Sequence, residues 1–182
     1  METGNVANQE FIISEKKIIR FSIILIFVLF LFFLLPYIIL WSWNSTFIGF
    51  KRLLKHLILW LLPIIVVHEG LHGLMWIVFN RNGFRNFSFG FNKDMLAPYT
   101  HFKIPMKKWV YITGGLAPLL FMGVLPAIVS FFYGNSYFYS LSLFCIWSAA
   151  GDILSCYYAI KIPAGFKIQD HPEKPGFIQI ST

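Results

Sequence analysis

The chain has 182 residues, of which 57% are hydrophobic, 19% aromatic and 13% charged, with a formal net charge of +7. Soluble domains carry about 25% charged residues, so the composition excludes an ordinary water-facing globule and points to lipid as the solvent for much of the surface. The basic residues are scattered between apolar stretches rather than gathered in a tract, which assigns them to membrane-flanking loops and argues against a nucleic-acid partner.

Residues 1–19 are polar and mixed in charge. They read as a cytosolic arm with an apolar patch at Phe11 to Ile13, and the arm could end in a short interfacial helix. Residues 21–40 hold no charge and form the first expected span. The segment is longer than a signal-peptide core and lacks a small-residue cleavage pattern, so it reads as a retained anchor. Pro36 is expected to kink or end its last turns, and Trp41 and Trp43 fit an interfacial belt. After a short connection at 44–52, residues 53–79 form a second span, which Pro63 interrupts and which carries His68, Glu69 and His72 near its middle.

In the mixed stretch 80–108, Asn82–Gly83 marks a turn. Phe87, Phe89 and Phe91 alternate with Ser88 and Gly90, as in a short strand. A second strand near Tyr99 to Ile104 would complete a β-hairpin over 85–104. Residues 109–133 form a third span, in which Gly114, Gly115, Ala117 and Gly123 allow close helix approach and Pro118 and Pro126 predict bends. A tight turn at 134–136 leads to a fourth span at 137–160, which carries one acid, Asp152, and then to a polar tail at 161–182. The expected fold is therefore an all-α integral membrane protein with four transmembrane helices and a small β-hairpin between the second and third. No repeat or linker divides it. Cys145 and Cys156 would lie about 16 Å apart on one helix, beyond disulfide reach, and read as core thiols.

Charge bias sets the orientation. Lys16, Lys17 and Arg20 precede the first span. Arg81, Arg85, Lys93, Lys103, Lys107 and Lys108 follow the second, and Lys161, Lys167 and Lys174 follow the fourth. Only Lys51, Arg52 and Lys55 fall on the other side. The positive-inside rule then places both termini in the cytosol of a multi-pass cell-membrane protein.

The chemistry concentrates in His68-Glu69-Gly70-Leu71-His72. On a helix the two histidines share a face, so both imidazoles can ligate one zinc ion. The adjacent Glu69 can serve as general base toward a water there and pass the proton to a leaving amine. The pattern is short enough to recur by chance, but ionisable groups in lipid are costly unless they face protein, water or metal. The competing readings are a polar cluster that bonds neighbouring helices and a relay in a channel or transporter. Catalytic zinc usually takes three protein ligands, and Asp152 is the expected third, its alternative being a salt bridge or helix hydrogen bond. Counting from the cytosolic ends of their spans puts the histidines roughly 12–18 Å deep and Asp152 roughly 13 Å deep, so the depths agree.

His56 lies about 18 Å from His68 along a straight helix, too far for the same ion. His101, expected at the surface, and His171 and Glu173 in the tail are minor candidates. Ser148, Asp152 and Cys156, four apart, share a stripe, so Ser148 or Cys156 could support the site by hydrogen bonding or simply pack. Asn92 and Tyr99 could donate to a developing oxyanion. Gly70 and Gly73 leave room for another helix or an extended substrate.

The stretches HEGLHG (68–73), FGFNKDMLAPYTHFKIP (89–105), GGLAP (114–118), GD (151–152) and DHPEKPGF (170–177) together resemble the bacterial DUF3267 family of zincin peptidases, over roughly residues 55–178. That family is itself similar to a minimal site-2 protease, an intramembrane zinc metalloprotease. The resemblance implies zinc ligation by His68, His72 and Asp152, catalysis by Glu69, and cleavage of transmembrane segments that unwind and present an edge beside the hairpin. The chain departs from the site-2 pattern Asn-x-x-Pro-x-x-x-Leu-Asp-Gly. Asp152 sits in AAGDILSC, with Ile153 after it, and there is no PDZ domain. The expected function is zinc-dependent peptide-bond hydrolysis on membrane-protein segments. The alternative is a non-catalytic metal-binding or transport protein of the membrane.

Overall fold

A computed structural model describes residues 8–80, 83–92, 97–172 and 174–181. The chain is mostly helical. Among the described residues, three helices are long and apolar enough to cross a membrane: α1 (Glu15–Trp41), α2 (Trp43–Phe79) and α3 (Lys108–Tyr133). A pair, α4 (Ser136–Ser148) and α5 (Ala150–Ile160), meets the same test jointly but bends by 47° at Ala149. Large apolar side chains stand outward, with Ile39 77% and Ile58 88% exposed, as a lipid-facing surface requires.

Two boundaries differ from expectation. The first helix begins at Glu15, and the second at Trp43 rather than at residue 53. The expected connection at 44–52 is therefore helical. The only break is Ser42, at φ 77°, whose hydroxyl accepts from the Ser45 N–H at 3.4 Å, while Thr46 Oγ1 donates to the Ser42 carbonyl at 2.9 Å. This is an N-cap signal. The polar Asn44, Ser45, Lys51 and Arg52 are tolerated because helix formation does not require apolar residues on every face.

The prolines act locally. A π-helical segment ends two residues before Pro36 (Phe30–Leu34) and another two before Pro126 (Leu119–Val124). The Leu35 N–H reaches back to the Phe30 carbonyl, and the Leu125 N–H to that of Leu120. Proline lacks an N–H and crowds the carbonyl four residues earlier, and the wider turn relieves that contact. Pro63 lies within the helical α2. Gly134, at φ 67°, ends α3 in the left-handed conformation, and the Asn135 side chain caps α4 by accepting from the Phe138 N–H at 3.2 Å.

The all-α expectation is corrected by two antiparallel sheets. The phenylalanine alternation corresponds to β2 (Phe87–Asn92), which pairs with β3 (Ala97–Phe102) so that Phe89 faces Thr100. A four-stranded sheet has the order β1-β6-β5-β4, built from β1 (Gln9–Ile12), β4 (Met106–Lys107), β5 (Lys167–Asp170) and β6 (Gly176–Ile180). The patch at Phe11 is thus strand, the end of the arm from Glu15 is the start of α1, and the tail contributes two strands to the sheet. These strands have two to five residues each. Their apolar residues find partners only across the length of the chain, a pairing that local periodicity does not encode.

The chain divides into two compact units. One comprises Met1–Ser14, Glu69–Leu116 and Gly151–Thr182, and the other Glu15–His68 and Ala117–Ala150. The first has a core of Trp76, Phe102, Met106, Tyr111, Ile168 and Phe177 among others, in which each fully buried Phe stabilises by about 1.5–3 kcal/mol. The second is organised by Tyr37 and Tyr139, stacked with centroids 4.0 Å apart, with Leu29, Leu143 and Ile146 around them.

Candidate metal centre

His68 and His72 are one helical turn apart on α2. His72 is 6% exposed, and its Nδ1 lies 2.9 Å from the carbonyl oxygen of Gly114 on α3. A carbonyl can only accept, so Nδ1 carries a proton, and in the neutral ring that a metal requires Nε2 would hold the lone pair. That Nε2 lies 3.5 Å from Asp152 Oδ1 on α5.

The two glycines of GGLAP make this approach possible. A Cβ on Gly114 would fall inside Trp76 Nε1 and Cδ1, and one on Gly115 would meet Cys156 Sγ at 2.6 Å. Trp76 in turn stacks between His72, centroids 5.6 Å apart, and Tyr111, 5.9 Å apart. Its indole N–H points at the Tyr111 carbonyl at 3.4 Å. The imidazole is therefore fixed by an aromatic stack on one side and a backbone carbonyl at its rear.

His68, His72 and Asp152 each offer a ligand atom, and these atoms lie within 4.8 Å of one another. Ligands about 2.0–2.1 Å from a tetrahedral zinc ion stand roughly 3.3 Å apart, close to the His72–Asp152 separation. Two neutral imidazoles and one carboxylate are also a donor set suited to zinc. The residues present fit the ion.

Glu69 faces the β2–β3 pair. Its Oε2 accepts from the Thr100 N–H at 2.8 Å, and its backbone carbonyl accepts from Thr100 Oγ1 at 3.0 Å. Since the Thr100 N–H is directed at Glu69, it points away from β2. Pro98, two residues earlier and in the same phase, lacks an N–H where no bond to β2 would be made. Thr100 is a functional candidate that the sequence reading missed, because a strand N–H carries no side-chain signature.

The remaining candidates are placed as follows. His101 is not at the surface: its ring, 12% exposed, pairs with Asp170 on β5 at 3.4 Å. Burial pushes the Asp170 carboxyl above its ordinary range, and His101 offsets part of that rise. His171 Nδ1 accepts from the Lys174 N–H at 2.9 Å, and its Nε2 lies 3.9 Å from Glu10. His56 packs edge-on against Tyr137. The Ser148–Asp152–Cys156 stripe is interrupted by the bend at Ala149, and Ser148 Oγ donates to the Cys145 carbonyl of its own helix at 2.9 Å. Cys156 Sγ approaches the Ile112 carbonyl at 3.7 Å. Both cysteines are free thiols. A Cβ on Gly70 would meet nothing within 4 Å, whereas the space beside Gly73 is filled by Phe87. The side chains of Asn92 and Tyr99, and residue Glu173, lie outside the described residues.

No curated protein and no solved structure matches the chain. A family profile described as "Putative zincin peptidase" (DUF3267) matches residues 61–166. That match covers more than half of the sequence, from the turn of α2 before the histidines to the strand-and-tail region after α5, and the chain belongs to this family.

Proposed function

We propose that the protein is a membrane-embedded zinc peptidase of the site-2 protease kind, which hydrolyses peptide bonds of membrane-protein segments. His68, His72 and Asp152 are the ligands and Glu69 is the general base. The observation that carries this reading is the gathering of three ligand atoms within 4.8 Å, beside a glutamate held by its own hydrogen bond. When bound, zinc supplies a Lewis acid that polarises the scissile carbonyl and acidifies a water. The Glu69 carboxylate would accept a proton from the attacking water and pass it to the leaving amine. The Thr100 N–H fixes one carboxylate oxygen, so the base keeps one orientation through both transfers. The outward-facing edge of β3, which begins at the glutamate, suits an extended substrate pairing strand to strand.

Sheet pairing supports the orientation. β1 precedes α1, β4 lies between α2 and α3, and β5 and β6 follow α5, yet all four strands share one sheet. Segments bonded in one sheet lie on one side of a bilayer, so the chain crosses an even number of times between β1 and β4 and again between β4 and β5. Four crossings, with α4 and α5 together as the fourth, meet that condition. The excess of Lys and Arg on those segments makes their side the cytosol.

The test uses the full chain in proteoliposomes with a panel of epitope-tagged single-span substrates, and metal analysis of each variant. Wild type is expected to carry stoichiometric zinc and to cleave. His72→Ala loses the metal. Glu69→Gln keeps it but cleaves about 10²–10⁴-fold more slowly, the usual share of a general base. Cleavage at full rate by Glu69→Gln overturns its role. Zinc retained by wild type and Glu69→Gln, without cleavage of any substrate, would favour the non-catalytic metal-binding alternative.

A further inference from the structure

A second feature of the same unit is a cavity of about 370 Å³ lined by Lys107, Lys108, Trp109, Gly165, Phe166 and Lys167, together with Pro163 and Ala164. Its volume lies within the range of small-ligand sites. It is lined by three lysines and no acid. Lys107 on β4 and Lys167 on β5 are direct register partners. Side chains directly opposite across an antiparallel pair have Cβ atoms about 4.5–5.5 Å apart, and like charges there repel. Both residues are exposed, and no acidic side chain pairs with either among the described residues. Lys108 is committed differently. Its Nζ donates to the Ile162 carbonyl at 2.8 Å and lies 3.5 Å from that of Ile160, tying the start of α3 to the end of α5.

Position adds a second constraint. The cavity lies where α3 begins and where α5 has just ended, which is the membrane–water boundary if these helices span. Trp109, 49% exposed and packed edge-on against Phe79 with centroids 5.2 Å apart, has the amphipathic character of a headgroup-level anchor. A free pair of lysines above an aromatic floor at that level is complementary to an anion with apolar chains attached.

We propose that this cavity binds the phosphate of an anionic phospholipid headgroup, with the Lys107 and Lys167 ammonium groups converging on the phosphate, Lys108 adding charge at the helix junction, and Trp109 and Phe166 lying against the glycerol and first methylenes. The bound phosphate neutralises the cross-strand repulsion and so locks β4 to β5 at the root of α3. The site is separate from the zinc ligands and does not depend on the peptidase reading.

The experiment uses the purified full chain in neutral detergent. Phosphatidylglycerol, phosphatidylcholine or inorganic phosphate is added, lipid retention is read by native mass spectrometry, and stability by thermal unfolding. Wild type is expected to retain phosphatidylglycerol selectively and to melt higher with it than with phosphatidylcholine. Lys107→Ser/Lys167→Ser should bind phosphatidylglycerol roughly thirtyfold more weakly, each near-surface lysine contributing about a fivefold share. It should melt no lower than wild type without anionic lipid, because a repulsive pair has been removed. Lys51→Ser/Arg52→Ser, which removes the same charge elsewhere, should keep wild-type retention. Equal retention by wild type and Lys107→Ser/Lys167→Ser overturns the site, as does equal loss in the Lys51→Ser/Arg52→Ser control. A double variant that unfolds in neutral detergent overturns the repulsion argument. Stabilisation by inorganic phosphate as large as by phosphatidylglycerol overturns the lipid as the source.

Discussion

Gly114→Ala tests whether close backbone approach holds the metal centre together. The new methyl group would occupy the position of Trp76 Nε1 and Cδ1. Trp76 is 4% exposed and packed between His72 and Tyr111, so it cannot swing away without disturbing both. Overpacking of this kind costs about 1–3 kcal/mol. Replacing a mid-helix glycine with alanine returns roughly 0.5–1 kcal/mol, so the net loss is about 0–2.5 kcal/mol. The larger effect falls on the site. Retreat of α3 by even a fraction of an ångström lengthens the 2.9 Å contact from His72 Nδ1 to the Gly114 carbonyl, and loss of such a supporting bond lowers metal affinity about 10–100-fold. The assay is competitive zinc titration of the detergent-purified protein with a chromophoric chelator, beside a thermal melt. Trp76→Phe removes the pyrrole ring that the methyl would strike, so Gly114→Ala/Trp76→Phe should bind zinc more tightly than the sum of the single losses predicts. Gly70→Ala, where a Cβ meets nothing within 4 Å, should leave stability unchanged or slightly raised. Wild-type zinc affinity in Gly114→Ala, or strict additivity in the double variant, refutes the reasoning.

Thr100→Pro removes the N–H that Glu69 accepts without removing a bond to β2, whereas Thr100→Val removes only the hydroxyl bonded to the Glu69 carbonyl. A charge-assisted bond is worth about 1.5–3 kcal/mol, so the proline variant should cleave about 10–100-fold more slowly while keeping its zinc. The valine variant should lose only stability, about 0.5–1.5 kcal/mol. Equal kinetics in the two would remove Thr100 from a positioning role. His101→Gln leaves the Asp170 carboxylate buried without its partner, at a cost of about 3 kcal/mol near neutral pH, most of which His101→Gln/Asp170→Asn should recover. Because burial raises the Asp170 carboxyl, the folded chain holds that proton more tightly than the unfolded chain does. The stability from this group is complete below the ordinary carboxylate value and is lost as pH rises through the raised one. The melting difference between the single and double variants should therefore shrink as pH is lowered toward 4, and a difference that widens contradicts the assignment.

The parts of the structure legible in the sequence are those encoded within one segment. The uncharged run after Arg20, the spacing of His68 and His72, and the phenylalanine alternation at 87–91 each carry their own period, and the structure places them on α1, α2 and β2. Asp152 was reachable because an acid in an apolar stretch demands a partner. The rest depends on backbone groups and distant pairing. Nothing local to Ile168, Phe177 or Phe11 announces that the strands carrying them share a sheet. Gly114 was read as a place for close packing, and Trp76 does pack against it, but the contact of its carbonyl with His72 has no side-chain signature. His101 was placed at the surface because a lone histidine in a polar stretch looks solvated, and only the approach of β5 buries it.

The same geometry explains why a β-strand stands beside the helix that carries the candidate ligands in a chain rich in long apolar helices. A glutamate on an apolar helix and an outward N–H on a sheet edge are each costly in surroundings without water. The Glu69–Thr100 bond satisfies one with the other, at 2.8 Å. His72 is treated likewise, its Nδ1 proton taken by a helix carbonyl that two glycines bring within reach. Neither partner is an ionisable side chain, so neither competes with His68, His72 and Asp152 for a cation, and neither can be lost by a change of protonation. A candidate site held by backbone groups keeps its Nδ1 proton and the aim of its carboxylate whether or not substrate is present. Variation along β2, β3 and α3 should therefore be tolerated wherever it leaves the paths of the Thr100 N–H and the Gly114 carbonyl unchanged, and should disable the site wherever it moves either one.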